Sequence, residues 1–371
     1  MNLVDIIFIT ASLAYLFFGI LLITHLDGDS SHSSWEPTVD IIIAAKNEAD
    51  NIKACLDSLC SLNYPKNKRN IICIDDDSSD GTAQILKRLQ KEKSSHHIKI
   101  LTLKTTEKEK PGKAGALLPG IESGAGEIIV FTDADCTVPP TWIRSLLDMF
   151  TPKVGLVGGY TQVNRYSDSL LSRFQSLDWH FLLSIASAAS HLDKPITWVG
   201  NNMAIRRSVY DQIGGYRNLD DSLVEDFALI DAVNKQTDRH CRFFLTKASR
   251  VRTQPVNTLP DWYRQRKRWA LGIRSARLFG QWIMVTGLIA HLFVLLSPLG
   301  SLWPFSLLGF LMFVSIDITL ITRSARLLGL KFQVIDLLVY EGGYFIYTIL
   351  LPLFLLFDRK VDWKGHLHHY R

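Results

Sequence analysis

The sequence predicts an α/β domain built on a mostly parallel sheet with flanking helices, together with transmembrane helices at both ends of the chain. Across residues 39–132, apolar strand patterns alternate with helix patterns, which is the order of a parallel sheet covered by helices. Uncharged apolar runs lie before this region, at residues 6–23, and after it, at residues 278–316. Such runs are long enough to contain helices that cross a bilayer. We therefore predict a membrane protein with a polar middle.

The predicted chain organisation follows from these runs and from the charges beside them. The first apolar run has no basic leader and no small-residue cleavage site after it, so we interpret it as an anchor and not as a removed signal peptide. The five predicted parts are a transmembrane anchor (1–26), a cytosolic α/β domain (37–257), an amphipathic interface helix (258–277), a C-terminal membrane region (278–358) and a basic tail (359–371).

The charge of the chain favours contact with a lipid bilayer over contact with nucleic acid. The net charge is +5, and the basic residues cluster next to the apolar runs, as at Arg274, Arg277, Arg323 and Arg326. Positive flanks of this kind mark the cytoplasmic side of a membrane protein. We expect no nucleic-acid partner. The five cysteines form no C-x-x-C pair, which is typical of reduced thiols in a cytosolic domain.

The last apolar run, at residues 335–357, is interrupted by Asp336 and by Glu341-Gly-Gly343. A full crossing would place the basic tail outside the cell, which is contrary to the preference of positive charge for the cytosol. An acid within the bilayer is also costly unless it faces protein or water. We therefore predict a third span or, preferably, a re-entrant helical hairpin that bends near Gly342 and keeps the tail cytosolic.

Two carboxylates follow the most strand-like segment of the chain, Glu127-Ile-Ile-Val-Phe-Thr-Asp-Ala-Asp135. Asp133 and Asp135 are separated by one residue, so an extended chain would turn both towards the carboxyl edge of the sheet, where ligands collect. A divalent cation shared with substrate phosphates would relieve their repulsion. Taken by itself, an Asp-x-Asp sequence is more often a solvated turn.

Acids also follow the first two predicted strands. The first turn is Ala44-Ala-Lys-Asn-Glu-Ala-Asp50, and the second is Asp75-Asp-Asp-Ser-Ser-Asp-Gly-Thr82. Carboxylates accept hydrogen bonds from a ribose diol or a uracil imide, so these turns suit a nucleoside. The segment Lys110-Pro-Gly-Lys-Ala-Gly115 adds two cations between small residues, which allows close approach to a diphosphate at a helix start. A solvated loop is the alternative for this segment.

Two further motifs lie on predicted helices. Val224-Glu-Asp226 stands at the head of a helix, where acids also have the ordinary role of complementing the helix dipole. Gln265-Arg-Lys-Arg-Trp269 places Gln265, Arg268 and Trp269 on one helix face just before a membrane run. That stripe could equally be an interfacial anchor.

In this order, the motifs resemble those of the family-2 glycosyltransferases of the GT-A fold. The resemblance covers residues 39–269 and is to the membrane-integrated branch, which includes the cellulose, chitin and hyaluronan synthases and the ceramide-type and carotenoid-type lipid glucosyltransferases. Gly200-Asn-Asn202 fits the acceptor-side segment of that family. The resemblance implies nucleotide-sugar contacts at Glu48, Asp76, Lys113, Asp133, Asp135, Gln265, Arg268 and Trp269, metal ligands at Asp133 and Asp135, and catalytic acids at Asp226 and Glu225, with Asp226 as the general base.

The resemblance also implies a reaction. It is an inverting displacement in which Mg²⁺ or Mn²⁺, with Lys113 and Arg268, stabilises the departing diphosphate while Asp226 accepts the proton of the acceptor hydroxyl. The expected donor is a UDP-sugar, and the expected location is a bacterial plasma membrane with the catalytic domain in the cytosol. We expect a hexosyltransferase.

The acceptor is the least determined part of the prediction. Trp363-Lys-Gly365 partly matches the tail of lipid glucosyltransferases, and four apolar segments are few for a polysaccharide channel. We therefore favour a single transfer to a hydroxyl of a membrane lipid. A processive polysaccharide synthase is the alternative, and an inactive sugar-nucleotide-binding scaffold is a third hypothesis, although none of the motif acids is missing.

Overall fold

A computed structural model describes most of the chain and divides it into two compact units. The described residues are 3–26, 34–165, 169–196, 198–220, 222, 224–272, 278–296, 303–357, 360–363 and 366–369. The sheet unit contains Gly28–Asn164 and Thr197–Gln254. The helical unit contains Met1–Asp27, Arg165–Ile196 and Pro255–Arg371. The segment Arg165–Ile196, which lies within the predicted 37–257 domain, therefore belongs to the helical unit.

The sheet unit is built on a seven-stranded sheet in the order β3-β2-β1-β4-β7-β5-β8. Strand β7 runs antiparallel to both of its neighbours, and the other pairings are parallel, so the predicted mostly parallel sheet is confirmed. The strands of the seven-stranded sheet are β1 (Val39–Ala45), β2 (Arg69–Asp76), β3 (Ile98–Leu103), β4 (Ile128–Phe131), β5 (Val154–Gly159), β7 (Met203–Arg206) and β8 (His240–Phe244). A parallel pair of short strands, β6 (Thr161–Val163) and β9 (Val251–Thr253), forms a second sheet.

Helices connect the strands of this unit. They are α2 (Ile52–Cys60), α3 (Thr82–Glu92), α4 (Gly112–Glu122), α5 (Trp142–Leu147), α7 (Arg207–Gln212), α8 (Gly215–Asn218) and α9 (Glu225–Gln236), with 3₁₀ turns at Lys66–Lys68, Thr105–Glu107, Gly200–Asn202 and Lys247–Ser249. Central strands are buried on both faces, as Ile41, Ile42 and Ile43 of β1 show with no exposed surface. This two-sided burial is the reason for their continuous apolar sequence. All five cysteines are free thiols.

The described residues of the helical unit form six helices and a short β-hairpin. The helices are α1 (Leu3–Thr24), α6 (Leu170–His191), α10 (Leu259–Gly272), α11 (Leu278–Leu296), α12 (Trp303–Leu328) and α13 (Val334–Phe357), and the hairpin strands are β10 (Lys360–Trp363) and β11 (His366–His369). Four of the helices, α1, α11, α12 and α13, contain segments long and apolar enough to cross a membrane. Leu13, Leu308 and Leu338 are each more than half exposed on these helices, as lipid-facing residues would be. The predicted apolar helices at both ends of the chain are confirmed.

The predicted bend near Gly342 is wrong. Helix α13 continues through Glu341-Gly-Gly343 without interruption. Gly343 is a packing residue, because a Cβ there would lie 2.5 Å from the ring of Phe174 on α6, whereas Gly342 is exposed. The pair of glycines therefore permits a close helix contact and does not end the helix. Arg274 and Arg277 of the predicted basic flank, and Lys364, Gly365 and the end of the basic tail, lie outside the described residues.

Candidate active site

Three acids from the sequence motifs lie at one edge of the seven-stranded sheet. Glu48 follows β1, Asp76 ends β2, and Asp133 follows β4. These strands are neighbours in the order β2-β1-β4 and run parallel, so their carboxyl ends meet. The structure therefore brings Glu48, Asp76 and Asp133 to the sheet edge at which α/β folds bind ligands.

Asp135 has the environment of a carboxylate that needs a cation. Its Oδ2 accepts a hydrogen bond from Thr253 Oγ1 at 3.2 Å, and its Oδ1 accepts one from Cys136 Sγ at 3.3 Å. Burial, followed by the negative charges of Asp133 and Glu48, raises the pKa of Asp135 to about 6. A bound cation would reverse this shift, because it favours the ionised form.

The donor set fits a divalent cation that is shared with substrate. Among the described residues, no three or more His, Cys, Asp or Glu side chains are grouped closely enough to hold a metal by themselves. Asp133 and Asp135 could therefore supply two carboxylates at most, with phosphate and water oxygens completing the shell. Mg²⁺ is commonly bound in this way, through one or two carboxylates and substrate phosphates.

Lys113 lies between two groups of acids in the sheet unit, the Asp-x-Asp pair and the acids at the start of α9. Its Nζ donates to Asp133 Oδ1 at 2.5 Å and lies 3.3 Å from Glu225 Oε1. Burial acts to lower the pKa of Lys113, but the negative charges of Asp133, Glu225 and Asp226 outweigh burial and raise it. Lys113 is thus a fixed positive charge between the Asp-x-Asp pair and the acids at the start of α9.

The turn that carries Lys113 depends on a glycine. A Cβ at Gly115 would lie 1.9 Å from the backbone oxygen of Lys110, a distance at which no side chain fits. The first turn of α4 can therefore pack closely against the backbone of Lys110 because residue 115 is glycine. Lys110 itself directs its Nζ to the backbone oxygen of Leu219.

Asp226 is held by backbone groups on both of its oxygens. Its Oδ2 accepts from Gly200 N at 2.6 Å, and its Oδ1 accepts from Phe227 N at 2.8 Å, in the first turn of α9. The carboxyl group is buried, with 9% of the residue exposed. Two backbone donors fix the orientation of the carboxylate.

The segment Gly200–Asn202 that donates to Asp226 is itself fixed by side-chain hydrogen bonds. Asn202 Nδ2 donates to the backbone oxygens of Tyr160 at 2.9 Å and Ser249 at 2.8 Å, and its Oδ1 accepts from Trp142 Nε1 at 2.8 Å. Asn201 Oδ1 accepts from the hydroxyl of Thr161 at 2.8 Å. Gly200 approaches Asp226 so closely that a Cβ would lie 3.0 Å from the Asp226 Cβ. The Gly-Asn-Asn sequence therefore positions the acid.

Asp76, a predicted nucleotide contact, is paired within the protein. Lys108 Nζ lies 2.6 Å from Asp76 Oδ1 and 2.7 Å from Asp76 Oδ2, and both side chains are largely buried. Glu48, the other predicted nucleoside contact, accepts from Asn51 Nδ2 at 2.9 Å through its Oε2. A nucleoside that uses Asp76 would therefore share this acid with Lys108 or displace it.

The predicted Q-x-x-R-W stripe lies on α10 in the helical unit, where α6 contacts it. The Trp269 ring meets the Trp179 ring edge-on, with centroids 5.1 Å apart. One residue earlier on α6, Asp178 forms a buried ion pair with Arg266, whose guanidinium also covers the Trp269 ring at 4.4 Å. Burial raises the pKa of Asp178 to about 6 although Arg266 opposes this shift, so removal of the charges from water outweighs their attraction.

Some residues of the site are absent from the sequence prediction. Lys108 lies in a polar loop and Thr253 on a short strand, and no motif marks either residue. In the helical unit, and apart from these residues, Asp178 did carry a signal, because a lone acid in a mostly apolar helix requires a partner. That signal does not identify Arg266 as the partner.

Two family models match the chain. The glycosyl transferase family 2 model matches residues 40–214. The glycosyl transferase family group 2 model matches residues 128–357, which is more than half of the chain. Together the two matches include the sheet edge with its acids, Asp226 and the α10 stripe.

Relatives with assigned names agree with the family. The chain is 33% identical over 239 residues to a probable glycosyltransferase of Bacillus subtilis (64% of this chain, 55% of the relative). It is 29% identical over 238 residues to a beta-monoglucosyldiacylglycerol synthase of Trichormus variabilis (64% and 49%). It is 25% identical over 289 residues to a poly-beta-1,6-N-acetyl-D-glucosamine synthase of Staphylococcus epidermidis (75% and 65%). The chain thus spans about half the length of the first two relatives.

A solved structure shows the same fold. A mannosyltransferase from Pyrobaculum calidifontis, solved in complex with GDP-Man and Mn²⁺, matches with a TM-score of 0.62 and 20% identity, and the match covers 92% of this chain and 99% of that one. The predicted GT-A fold is confirmed by this likeness. The chain belongs to the family-2 glycosyltransferases.

Proposed function

We propose that this protein is an inverting, metal-dependent glycosyltransferase that moves a hexose from a UDP-sugar to a hydroxyl group of a membrane lipid. The observation that carries the proposal is the arrangement around Lys113. This residue places one cation between Asp133 of the Asp-x-Asp pair and Glu225, whose neighbour Asp226 is oriented by two backbone N–H groups. A donor diphosphate and an acceptor hydroxyl require these two kinds of group.

In the proposed reaction, the acceptor oxygen forms a bond to the anomeric carbon while the bond from that carbon to the diphosphate breaks. The proton of the hydroxyl passes to Asp226, and the nucleoside diphosphate leaves with the electron pair of the broken bond. Because a single displacement occurs, the anomeric configuration inverts. The hydrogen bonds from Gly200 and Phe227 keep the Asp226 carboxylate in the orientation needed to receive the proton.

The leaving diphosphate gains negative charge during the reaction, and positively charged side chains of the protein would stabilise that charge. Lys113 is in place beside Asp133, and we assign Arg268 of the α10 stripe, with Gln265 and Trp269, to the same diphosphate. Asp133 and Asp135 would hold Mg²⁺ or Mn²⁺, which when bound stabilises charge on the phosphate oxygens. We assign Glu48 and Asp76 to the nucleoside, since carboxylates accept from ribose and uracil donors.

A lipid acceptor is favoured by the helical unit and by one relative. Four of the described helices could cross a membrane, and the Trichormus variabilis relative is named for the glucosylation of diacylglycerol. A processive polysaccharide synthase is the second candidate, because the Staphylococcus epidermidis relative matches more of this chain than the lipid synthase does. In both cases, we propose that the sheet unit lies in the cytosol of a bacterial cell.

The experiment is a transfer assay on membranes that contain the protein. Membranes are incubated with a panel of radiolabelled UDP-sugars, and with GDP-mannose as a donor of the other nucleotide class. Label that moves into the organic phase and is lost in Asp226→Asn membranes would support lipid glycosylation. Label in an insoluble polymer would establish the synthase instead. Donor binding without transfer to either fraction would indicate an inactive scaffold.

A further inference from the structure

Polar side chains are buried in the middle of the apolar helices of the helical unit. We call them the intramembrane polar cluster, and its members are Tyr15 on α1, His291 on α11, Asp317 on α12, and Tyr340, Glu341 and Tyr344 on α13. All except the half-buried Tyr344 are at most 9% exposed. Each lies five or more residues from either end of its helix, which is at least about 7 Å along the axis. The proposed transfer reaction uses none of them.

Direct contacts hold the cluster together. The hydroxyl of Tyr15 lies 2.8 and 2.9 Å from the two carboxyl oxygens of Asp317, to which it donates. The His291 ring meets the rings of Tyr15 at 5.9 Å and Tyr344 at 5.3 Å between centroids. Tyr340 stacks on Tyr344 at 5.4 Å. Four helices thus contribute to one polar site.

Glu341 faces the same site. It shares a helix face with Tyr344 and Phe345, which follow it by three and four residues. Both of these rings contact His291, at 5.3 Å and 5.8 Å between centroids. The neighbouring Gly342, in contrast, is exposed on the outer side of α13. The Glu341 carboxyl group is therefore directed towards α11 and the interior of the bundle.

Two buried atoms of the cluster have no hydrogen-bond partner among the described residues. They are the hydroxyl oxygen of Tyr340, a residue with no exposed surface, and Oε1 of Glu341. Hydrogen bonds between helices are common in membranes and explain the Tyr15–Asp317 pair. Such hydrogen bonds do not explain the Tyr340 hydroxyl and Glu341 Oε1, since a buried polar atom without a partner is costly. Acids within membrane segments usually mark a functional site.

We propose that the intramembrane polar cluster is a docking site, which holds the uncharged, hydroxyl-bearing headgroup of the acceptor lipid before its hydroxyl moves to Asp226 for transfer. This proposal rests on the proposed transfer to a lipid. A hydroxyl group both donates and accepts hydrogen bonds, so it can donate one to Oε1 of Glu341 and form another with the Tyr340 hydroxyl. A phosphate offers acceptor oxygens and would bring negative charge into a buried cluster whose members include no lysine or arginine to pair with it. The cluster therefore selects neutral lipids, such as diacylglycerol, against lipid phosphates.

The position of the cluster suits a neutral lipid. Glu341 follows the first residue of α13 by seven positions, about 10 Å along the axis. An uncharged glycerol hydroxyl can enter the bilayer to such a depth at far lower cost than a phosphate. Phe174 of α6 connects the site to α10, because its ring lies 6.0 Å from Tyr340 and 5.6 Å from Trp262. The cluster is thus adjacent, through one aromatic ring, to the helix that carries the Q-x-x-R-W stripe.

The test uses a photo-activatable diacylglycerol and the full-length protein in phosphatidylcholine nanodiscs. We expect cross-links to α11 or α13. Unlabelled diacylglycerol should compete with the probe and remove these cross-links, whereas phosphatidic acid, which differs from diacylglycerol by its phosphate, should not. In Tyr340→Phe and Glu341→Leu, the cross-link yield should fall about tenfold, as expected for loss of a buried hydrogen bond. The matched control is Ser315→Ala, which removes an exposed hydroxyl that bonds within α12; this variant should cross-link normally.

The unfolding temperatures of the variants distinguish a role in lipid binding from a role in helix packing. Because the Tyr340 hydroxyl has no hydrogen-bond partner in the part of the chain that the structure describes, Tyr340→Phe should unfold at the same temperature as the wild type or at a higher one. Equal competition by phosphatidic acid, or normal cross-linking in both variants, would overturn the proposal. The cross-link does not depend on turnover, so a protein that binds diacylglycerol but transfers no sugar to any lipid would refute the proposed function and retain the site.

Discussion

The closeness of Gly200 to Asp226 leads to a sharp prediction about the general base. In Gly200→Ala, the backbone N–H that donates to Asp226 Oδ2 is still present, and the backbone conformation of residue 200 is one that alanine adopts. The new Cβ, however, would lie 3.0 Å from the Asp226 Cβ and 3.1 Å from its Oδ2. The substitution therefore tests the position of the carboxylate without removing any of its hydrogen-bond donors.

The expected magnitude follows from these distances. Ordinary contacts of a Cβ begin at 3.4 Å, so the carboxylate must move by a few tenths of an ångström. Asn201 and Asn202 fix the Gly200 segment, so most of the movement falls on Asp226. A misplacement of 1 Å can cost about a hundredfold in rate. We therefore expect kcat to fall roughly tenfold, which is about 1.4 kcal/mol in the barrier, while the KM for the sugar nucleotide stays unchanged.

The assay is steady-state transfer by purified protein with variation of donor and acceptor separately. The control is Gly155→Ala, where the Cβ would lie 2.7 Å from the Arg239 side chain, at the opposite end of β5 from the acids. That variant should lose stability and keep its kcat once folded. If Gly200→Ala kept the full wild-type kcat, Asp226 would not need its observed orientation, and its role as the base would be refuted.

Three further predictions concern the metal, the base and the topology. Excess EDTA and Asp135→Asn should each lower transfer at least about a hundredfold. Because burial and the neighbouring acids raise the pKa of Asp135 to about 6, thermal stabilisation by Mn²⁺ should be large at pH 7.5 and small at pH 5, where Asp135 is protonated. Equal stabilisation at both pH values would contradict this assignment. Asp226→Asn should lower kcat steeply with unchanged affinity for UDP, as calorimetry would show, and a matching loss of affinity would give Asp226 a structural role. Since α13 is continuous, a Tyr370→Cys variant should react with a membrane-impermeant thiol reagent added outside intact cells, and protection would show that the tail is cytosolic.

Much of the sheet edge could be predicted from the sequence, because its acids follow apolar strand patterns directly. Glu48, Asp76 and Asp133 come within a few residues of the ends of β1, β2 and β4, and parallel strands align these ends. The antiparallel strand β7 was not predictable in the same way. Its four residues carry the same apolar pattern as a parallel strand, and strand direction depends on how the chain returns to the sheet.

Contacts between residues distant in sequence were beyond prediction for a physical reason. Lys108 meets Asp76, and Gly200 meets Asp226, because folded loops bring the backbones together and not because of any periodicity. The glycines of α13 show the opposite difficulty. A Gly-Gly sequence suggests a break when propensity is considered alone, but Gly343 has a partner, Phe174, to which only a residue without a side chain can pack so closely.

The helical segment Arg165–Ile196 interrupts the sheet unit along the chain, and this order constrains biosynthesis. Strand β7, which lies between β4 and β5 in the finished sheet, is synthesised after α6. The ribosome therefore makes a helix of the other unit while the sheet still has a gap at its centre. A fragment that contains only the sheet unit cannot be obtained by trimming the termini, because α6 would remain. Joining Asn164 to Trp198 through a short polar linker is the deletion that leaves every strand of the sheet in the chain.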